Sequence, residues 1–107
     1  MIQQTFIKAA IKTLKIKRPV QVIFQFGKPG ENDAEYQPRY KDSGKIKYHK
    51  ITIFEDTERD VKTLIAHELI HAKQEENNVA DIHGKYFQRK AKLFPDLPYV
   101  YMADRDI

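Results

Sequence analysis

The segment from Thr57 to about Glu76 constrains the fold of this chain more than any other, because its helical pattern is both the strongest and the most apolar. Its apolar residues recur at the three- and four-residue spacing of one helix face. They are Val61, Leu64, Ile65, Leu69 and Ala72. Thr57, with Asp60 three residues later, resembles a capping box and predicts the start of this central helix.

Two further helices are predicted, one near each end of the chain. The first runs from about Ile2 to Ile16 and is closed by Pro19, because the residue before a proline avoids helical backbone. The last begins at Asp81 or His83 and runs to about Phe94.

Three strands are predicted between the first helix and the central one. Alternating apolar residues indicate a half-buried strand over Val20–Phe26, and Glu35–Tyr40 could form a short strand that Pro38 restricts to a sheet edge. In Ile46–Phe54 the alternation of apolar and polar residues is irregular, which indicates a strand that is covered on both faces or that has a bulge near Lys50. At 107 residues the chain is expected to be a single α+β domain, residues 1–107, with a sheet of approximately three strands.

The central helix carries the run His67-Glu68-Leu69-Ile70-His71 within its apolar stretch. Because a helix advances 100° per residue, His67 and His71 lie one turn apart and can reach one metal ion. Glu68 lies beside them, where it can take a proton from a water on the metal without being a ligand. Two histidines and a glutamate are costly to place in so apolar a helix, which favours a metal site over a solvated surface turn.

A catalytic zinc site takes three protein ligands and a water, so a third ligand is needed. With no cysteine in the chain, it must be histidine, aspartate or glutamate. His83 is preferred, because a turn at Asn77-Asn78 would bring it back towards His71. The rivals are Glu75, Glu76 and Asp81. Glu75 lies only one turn beyond His71 on the same helix and would be crowded there, and Asp81 is better explained as a helix N-cap or as an acceptor for a ligand imidazole. His49, the remaining histidine, is expected to face solvent.

The run HELIHA, followed a dozen residues later by HGKYF, resembles the SprT-like metalloproteases, to which the Spartan-type proteases belong. The family pattern is HExxH, a spacer, and then HG-x-x-aromatic. It falls here on His67, Glu68, His71, His83, Gly84 and Phe87. The order of elements extends the resemblance over about Ile2 to Phe94. The resemblance implies a small zincin-like fold and one catalytic zinc held by the three histidines.

The metzincin pattern does not fit, because Gln74 occupies the position of its glycine. The chain also has no counterpart of the Cys-rich zinc ribbon that follows many SprT-like protease domains, since it contains no cysteine. These 107 residues therefore resemble a minimal protease core.

The resemblance implies a zinc-dependent metalloendopeptidase in which Glu68 is the general base and polypeptides are the substrates. The resemblance also suggests DNA-associated proteins as candidate substrates and DNA as a candidate partner. The net charge of +4 alone favours an ordinary solvated surface. The alternatives are a zinc-stabilised DNA- or protein-binding module with little or no protease activity, and a zinc hydrolase acting on other amides. No apolar run approaches 18 residues, so no membrane association is expected, and a cytoplasmic monomer is the default expectation.

Two details of the reaction are expected from the zincin-like resemblance. The substrate is expected to add as a strand along a sheet edge, which we place at Ile46–Phe54. The candidates for an additional donor to the oxyanion are Tyr48, Tyr86, Tyr99 and Tyr101. Each of them is better explained as an ordinary core or surface aromatic residue.

Overall fold

A layer of three helices and one three-stranded sheet form the part of the chain that the structure, a computed structural model, describes: residues 3–27, 33–54, 60–80 and 82–97. In chain order the elements are α1 (Gln3–Leu14), β1 (Val20–Gln25), β2 (Ala34–Tyr40), β3 (Ile46–Phe54), α2 (Val61–Glu76) and α3 (Lys85–Ala91). The predicted α+β class and the predicted order of elements are confirmed. Among the described helices, none has the length and apolar character needed to cross a membrane.

The sheet has the strand order β1-β3-β2, with β1 parallel and β2 antiparallel to β3. A tight turn closed by backbone bonds between Lys41 and Lys45, and between Gly44 and Lys41, places β2 directly beside β3. The parallel strand β1 takes the other side of β3. The prediction that Ile46–Phe54 forms the sheet edge was therefore wrong, because β3 is the central strand. The predicted edge position of the Pro38 strand is confirmed, since β2 pairs on one side only within this sheet.

The irregular pattern of β3 has two causes, burial on both faces at one end of the strand and a bulge at a position other than the predicted one. Ile51–Phe54 are four consecutive buried residues, so this end of the strand is covered on both faces. The register shifts where Arg39 pairs with Tyr48 and Tyr40 pairs with Ile46, which leaves Lys47 as the extra residue. The irregularity thus lies at Lys47 and not near Lys50.

The central helix begins later than Thr57. Asp60 is its N-cap, and its carboxylate accepts hydrogen bonds from the backbone nitrogen and the hydroxyl of Thr63, both at 3.0 Å. Asp60 is thus the capping residue itself and not the partner of a cap at Thr57, which lies outside the described residues. At the other end, Asn78 has a left-handed φ of 56°, which confirms the predicted stop at the two asparagines.

The two outer helices are shorter than predicted. α1 ends at Leu14 because Lys15 takes a left-handed φ of 57° and Ile16 donates back to the Ile11 carbonyl, so Pro19 is not what closes it. α3 starts after Gly84, which leaves His83 in the preceding turn.

The core lies between the sheet and the three helices, and α2 runs through its centre. Twelve consecutive residues of α2, Thr63–Gln74, are buried. A helix buried on all sides cannot leave its polar side chains to water. Every polar group in this stretch therefore needs a partner within the protein or a bound ligand.

Candidate metal centre

The first two histidines of the centre lie one turn apart on α2. His67 and His71 are both buried, and their Nε2 atoms are 3.2 Å apart. In a tetrahedral site with metal–nitrogen bonds of about 2.0–2.1 Å, two ligand nitrogens lie about 3.3 Å apart. The pair is thus spaced as two imidazole ligands of one ion would be.

The turn between α2 and α3 brings the third histidine to the same place. His83 lies with its ring centroid 5.4 Å from that of His67 and 5.0 Å from that of His71. One nitrogen from each of the three rings lies within 4.8 Å of the others, close enough for all three to bind one metal ion. The rival ligand Asp81 lies outside the described residues.

An orphaned nitrogen supports the fit of this cluster to a metal ion. The Nε2 atom of His83 is buried and has no hydrogen-bond partner among the described residues. A buried polar atom of this kind costs free energy unless something binds it. A donor set of three imidazoles suits a first-row metal ion such as zinc.

Phe87 packs against all three imidazoles. Its ring centroid lies 4.7 Å from that of His67, 5.2 Å from that of His71 and 5.3 Å from that of His83. Phe87 is fully buried on α3, so it restricts the orientations that the three rings can adopt. In the sequence, the family pattern and the apolar face of the last predicted helix, which Phe87 shares with Ala91 and Phe94, both pointed to this residue.

Glu68, a buried carboxylate, directly follows His67 on α2. It is 0% exposed, and neither of its oxygens has a hydrogen-bond partner among the described residues. Burial raises its pKa to about 8, with a smaller contribution from the negative charge of Glu35. Nearly all buried polar groups in proteins are paired, so a buried carboxylate without a partner is typical of a functional site.

A cleft of about 360 Å³ opens onto the centre. Glu68, His71 and His83 line one part of it. The edge strand β2 contributes Glu35 and Tyr36 to the wall. A molecule in the cleft would therefore contact both the centre and the edge of the sheet.

His49 does not face solvent as expected, since it is 0% exposed. Its Nε2 donates to a carboxylate oxygen of Glu76 at 2.8 Å, and its Nδ1 lies 2.7 Å from the Tyr36 hydroxyl. Because a carboxylate can only accept, Nε2 is the donor in the bond to Glu76. His49 lies on the face of β3 that packs against α2, and these two partners satisfy it there. It is not part of the three-histidine cluster.

Tyr36 is the tyrosine that sequence reasoning missed. It lines the cleft, and burial, with Glu75 adding a smaller effect, raises the pKa of its hydroxyl, so the hydroxyl stays protonated. Of the four tyrosines considered from sequence, Tyr48 and Tyr86 are not among the residues found to line the cleft, and Tyr99 and Tyr101 lie outside the described residues. What distinguishes Tyr36 is its hydrogen bond with His49 across the neighbouring strands β2 and β3, and the sequence does not show which strands lie side by side.

Comparison with known proteins identifies no relative of this chain. The chain matches no protein-family model, and no curated protein or solved structure is significantly similar to it. Its function must therefore be argued from the centre itself.

Proposed function

We propose that this protein is a zinc-dependent metalloendopeptidase of SprT-like type, with a zincin-like fold. His67, His71 and His83 would hold the zinc, and Glu68 would act as the general base. The observation that carries the proposal is the buried Glu68 carboxylate, without a hydrogen-bond partner among the described residues, in a cleft that two of the three clustered imidazoles also line. A site that only binds metal has no need of such a group.

A zinc ion bound there would supply Lewis-acid polarisation of the scissile carbonyl and would lower the pKa of the attacking water. Glu68 accepts the proton that this water loses as its oxygen bonds to the carbonyl carbon. Glu68 then returns that proton to the leaving amine as the carbon–nitrogen bond breaks. The burial that raises the pKa of Glu68 favours a carboxyl group that both takes and gives a proton near neutral pH.

The edge strand β2 is the best-placed surface for the substrate backbone. It lies at one side of the sheet and carries Glu35 and Tyr36, which line the cleft. An extended peptide can add to such an edge through main-chain hydrogen bonds. Pro38 supplies no N–H, so the bonding part of the edge is the half of β2 nearer Ala34. This replaces the β3 edge expected from the sequence.

The alternative of a zinc-stabilised binding module is less well supported. Structural zinc sites are closed by four protein ligands, whereas the cluster found among the described residues has three. His71 and His83 also line the cleft, so the centre is accessible to a bound molecule.

DNA remains a candidate partner with limited support. Two basic segments that are far apart in the sequence meet at a second groove of about 390 Å³. The charged residues lining this groove are Lys17, Arg18, Lys45, Glu75 and Glu76. The mixed charge weakens its attraction for a phosphate backbone.

The test is Glu68→Gln, which keeps the shape of the side chain and removes its proton-accepting charge. We expect zinc content to be unchanged and cleavage of an unfolded protein to fall by about 10²–10⁴-fold, the usual contribution of a general base. Glu75→Gln is the matched control, because Glu75 also lines the cleft but accepts a hydrogen bond from Tyr40.

Three results bear on the alternatives. Undiminished cleavage by the Glu68→Gln protein contradicts the proposed role of Glu68. Zinc-loaded wild-type protein that cleaves no polypeptide, with or without single-stranded DNA, makes the binding module the leading explanation. Release of ammonia or amine from small amides alone indicates the hydrolase of other amides.

A further inference from the structure

Gln74 connects the second histidine of the centre to the segment that carries the third. It lies on α2 almost one turn after His71, and it is 4% exposed. Its Nε2 donates to the Ile82 carbonyl at 2.7 Å, and its Oε1 lies 2.8 Å from His71 Nδ1. The same side chain thus contacts a ligand on α2 and the residue directly before His83.

These two contacts determine where the proton of His71 resides. The Ile82 carbonyl can only accept, so the amide nitrogen of Gln74 must face it and the amide oxygen must face His71. Because that oxygen also only accepts, Nδ1 of His71 is the protonated nitrogen. In the neutral ring, Nε2 then keeps its lone pair, and Nε2 is the atom 3.2 Å from His67 Nε2.

We propose that Gln74 is a positioning residue for the metal centre, which holds His71 in the tautomer and orientation that present Nε2 to the ion. The inference rests on the metal ligands of the proposed function. Metal-binding histidines commonly donate their second ring nitrogen to an acceptor in this way, and loss of the acceptor typically weakens metal binding 10–100-fold. Gln74 supplies that acceptor and also ties it to the chain segment leading into His83.

The backbone role of Gln74 is separate from that of its side chain. The Gln74 carbonyl accepts hydrogen bonds from the backbone nitrogens of Asn77 and Val79, at 3.1 and 3.0 Å, and so helps to end α2. A substitution changes the side chain and leaves these bonds in place. Side-chain variants can therefore test positioning without removing the turn.

The decisive comparison is between Gln74→Met, which removes both polar functions at similar volume, and Gln74→Glu, which keeps an acceptor for His71 Nδ1. We expect zinc affinity, measured by competition with a chromophoric chelator, to fall by about 10–100-fold in Gln74→Met. Gln74→Glu should recover a substantial part of that loss. Gln25→Met, at an exposed position on β1, is the control and should bind zinc as the wild type does.

Thermal unfolding of each metal-free protein separates a loss of fold from a loss of affinity. Wild-type affinity in Gln74→Met would overturn the inference, and so would equal losses in the Met and Glu variants, because the acceptor would then not matter.

A measurement on the wild type needs no variant. Long-range ¹H–¹⁵N correlation spectra of the histidine rings in the zinc-loaded protein should show His71 protonated at Nδ1 and ligated through Nε2. Ligation through Nδ1 would overturn the inference. Neither readout involves proteolysis, so a protein that binds zinc as expected but cleaves nothing would refute the proposed function and leave the role of Gln74 intact.

Discussion

At the scale of single residues, His83 is the candidate ligand with the least local support. His67 and His71 are held by the buried helix α2, whereas His83 lies in a turn and is only half-buried. Its place in the centre depends on the reversal at Asn78 and on Phe87 packing beside it. A ligand held by a turn is the one whose removal most directly tests the geometry of the cluster.

We expect His83→Ala to lower bound zinc from about one ion per chain to well below that, because two imidazoles bind the ion much less tightly than three. Elemental analysis of protein purified without added metal or chelator measures this directly. Lys85→Ala, at an exposed position two residues later, is the control. Full zinc occupancy in the His83→Ala protein would move the third ligand to Asp81 or to another acidic residue.

At the scale of elements, α2 contributes more than any other element to the candidate site. It supplies the two histidines and the glutamate, and twelve consecutive buried residues connect it to the sheet and the other helices. Its N-terminus depends on the Asp60 side chain, which accepts the backbone bond from Thr63. A helix that begins in the right place sets the direction of every side chain after it, including the candidate ligands His67 and His71, about two and three turns on.

We expect Asp60→Ala to lower the free energy of unfolding by about 1 kcal/mol, the usual effect of losing an N-cap, while Asp60→Ser should recover most of it. Urea unfolding of the zinc-loaded proteins measures the difference. Asp42→Ala removes a carboxylate from an exposed turn and serves as the control. Equal stability of the Ala and Ser variants would show that the cap does not stabilise this helix.

At the scale of the whole molecule, Glu76 joins three parts of the fold. Its carboxylate accepts bonds from the backbone nitrogens of Lys17 and Arg18 and from His49, at 2.8–3.1 Å. Burial alone would raise the pKa of Glu76, but these bonds outweigh it and lower the pKa. The end of α2 is thereby tied to β3 and to the connection between α1 and β1.

A lowered pKa makes this network sensitive to acid. In the unfolded chain the carboxyl group of Glu76 has a pKa of about 4.3. Its contribution to stability is therefore complete above that pH, and it is lost as the pH falls through the lower pKa that Glu76 has in the folded protein. We therefore expect the stability difference between wild type and Glu76→Gln to be largest near pH 7 and to shrink below about pH 4. Urea unfolding across this range measures it, with Asp42→Asn as a control for losing one negative charge. A difference that is the same at pH 7 and pH 3 would contradict this assignment.

The local features of this protein can be predicted from its sequence. The spacing of His67 and His71 on one helix face, the three strands and their approximate bounds all follow from periods of 3.6 and 2, which depend only on neighbouring residues. His83 was found as a ligand candidate because a nearby pair of asparagines predicts a turn.

Which groups from distant segments meet depends on the way the elements pack against one another. The central position of β3, the burial of His49 between Tyr36 and Glu76, and the contact of Gln74 with both His71 and Ile82 depend on packing across the fold. Periodicity tells which face of an element is apolar, but it does not tell which strand lies beside which, or whether a polar side chain finds a buried partner. For that reason the ligands of the candidate centre were predicted from the sequence, whereas the residues that orient them and the edge that faces the cleft were not.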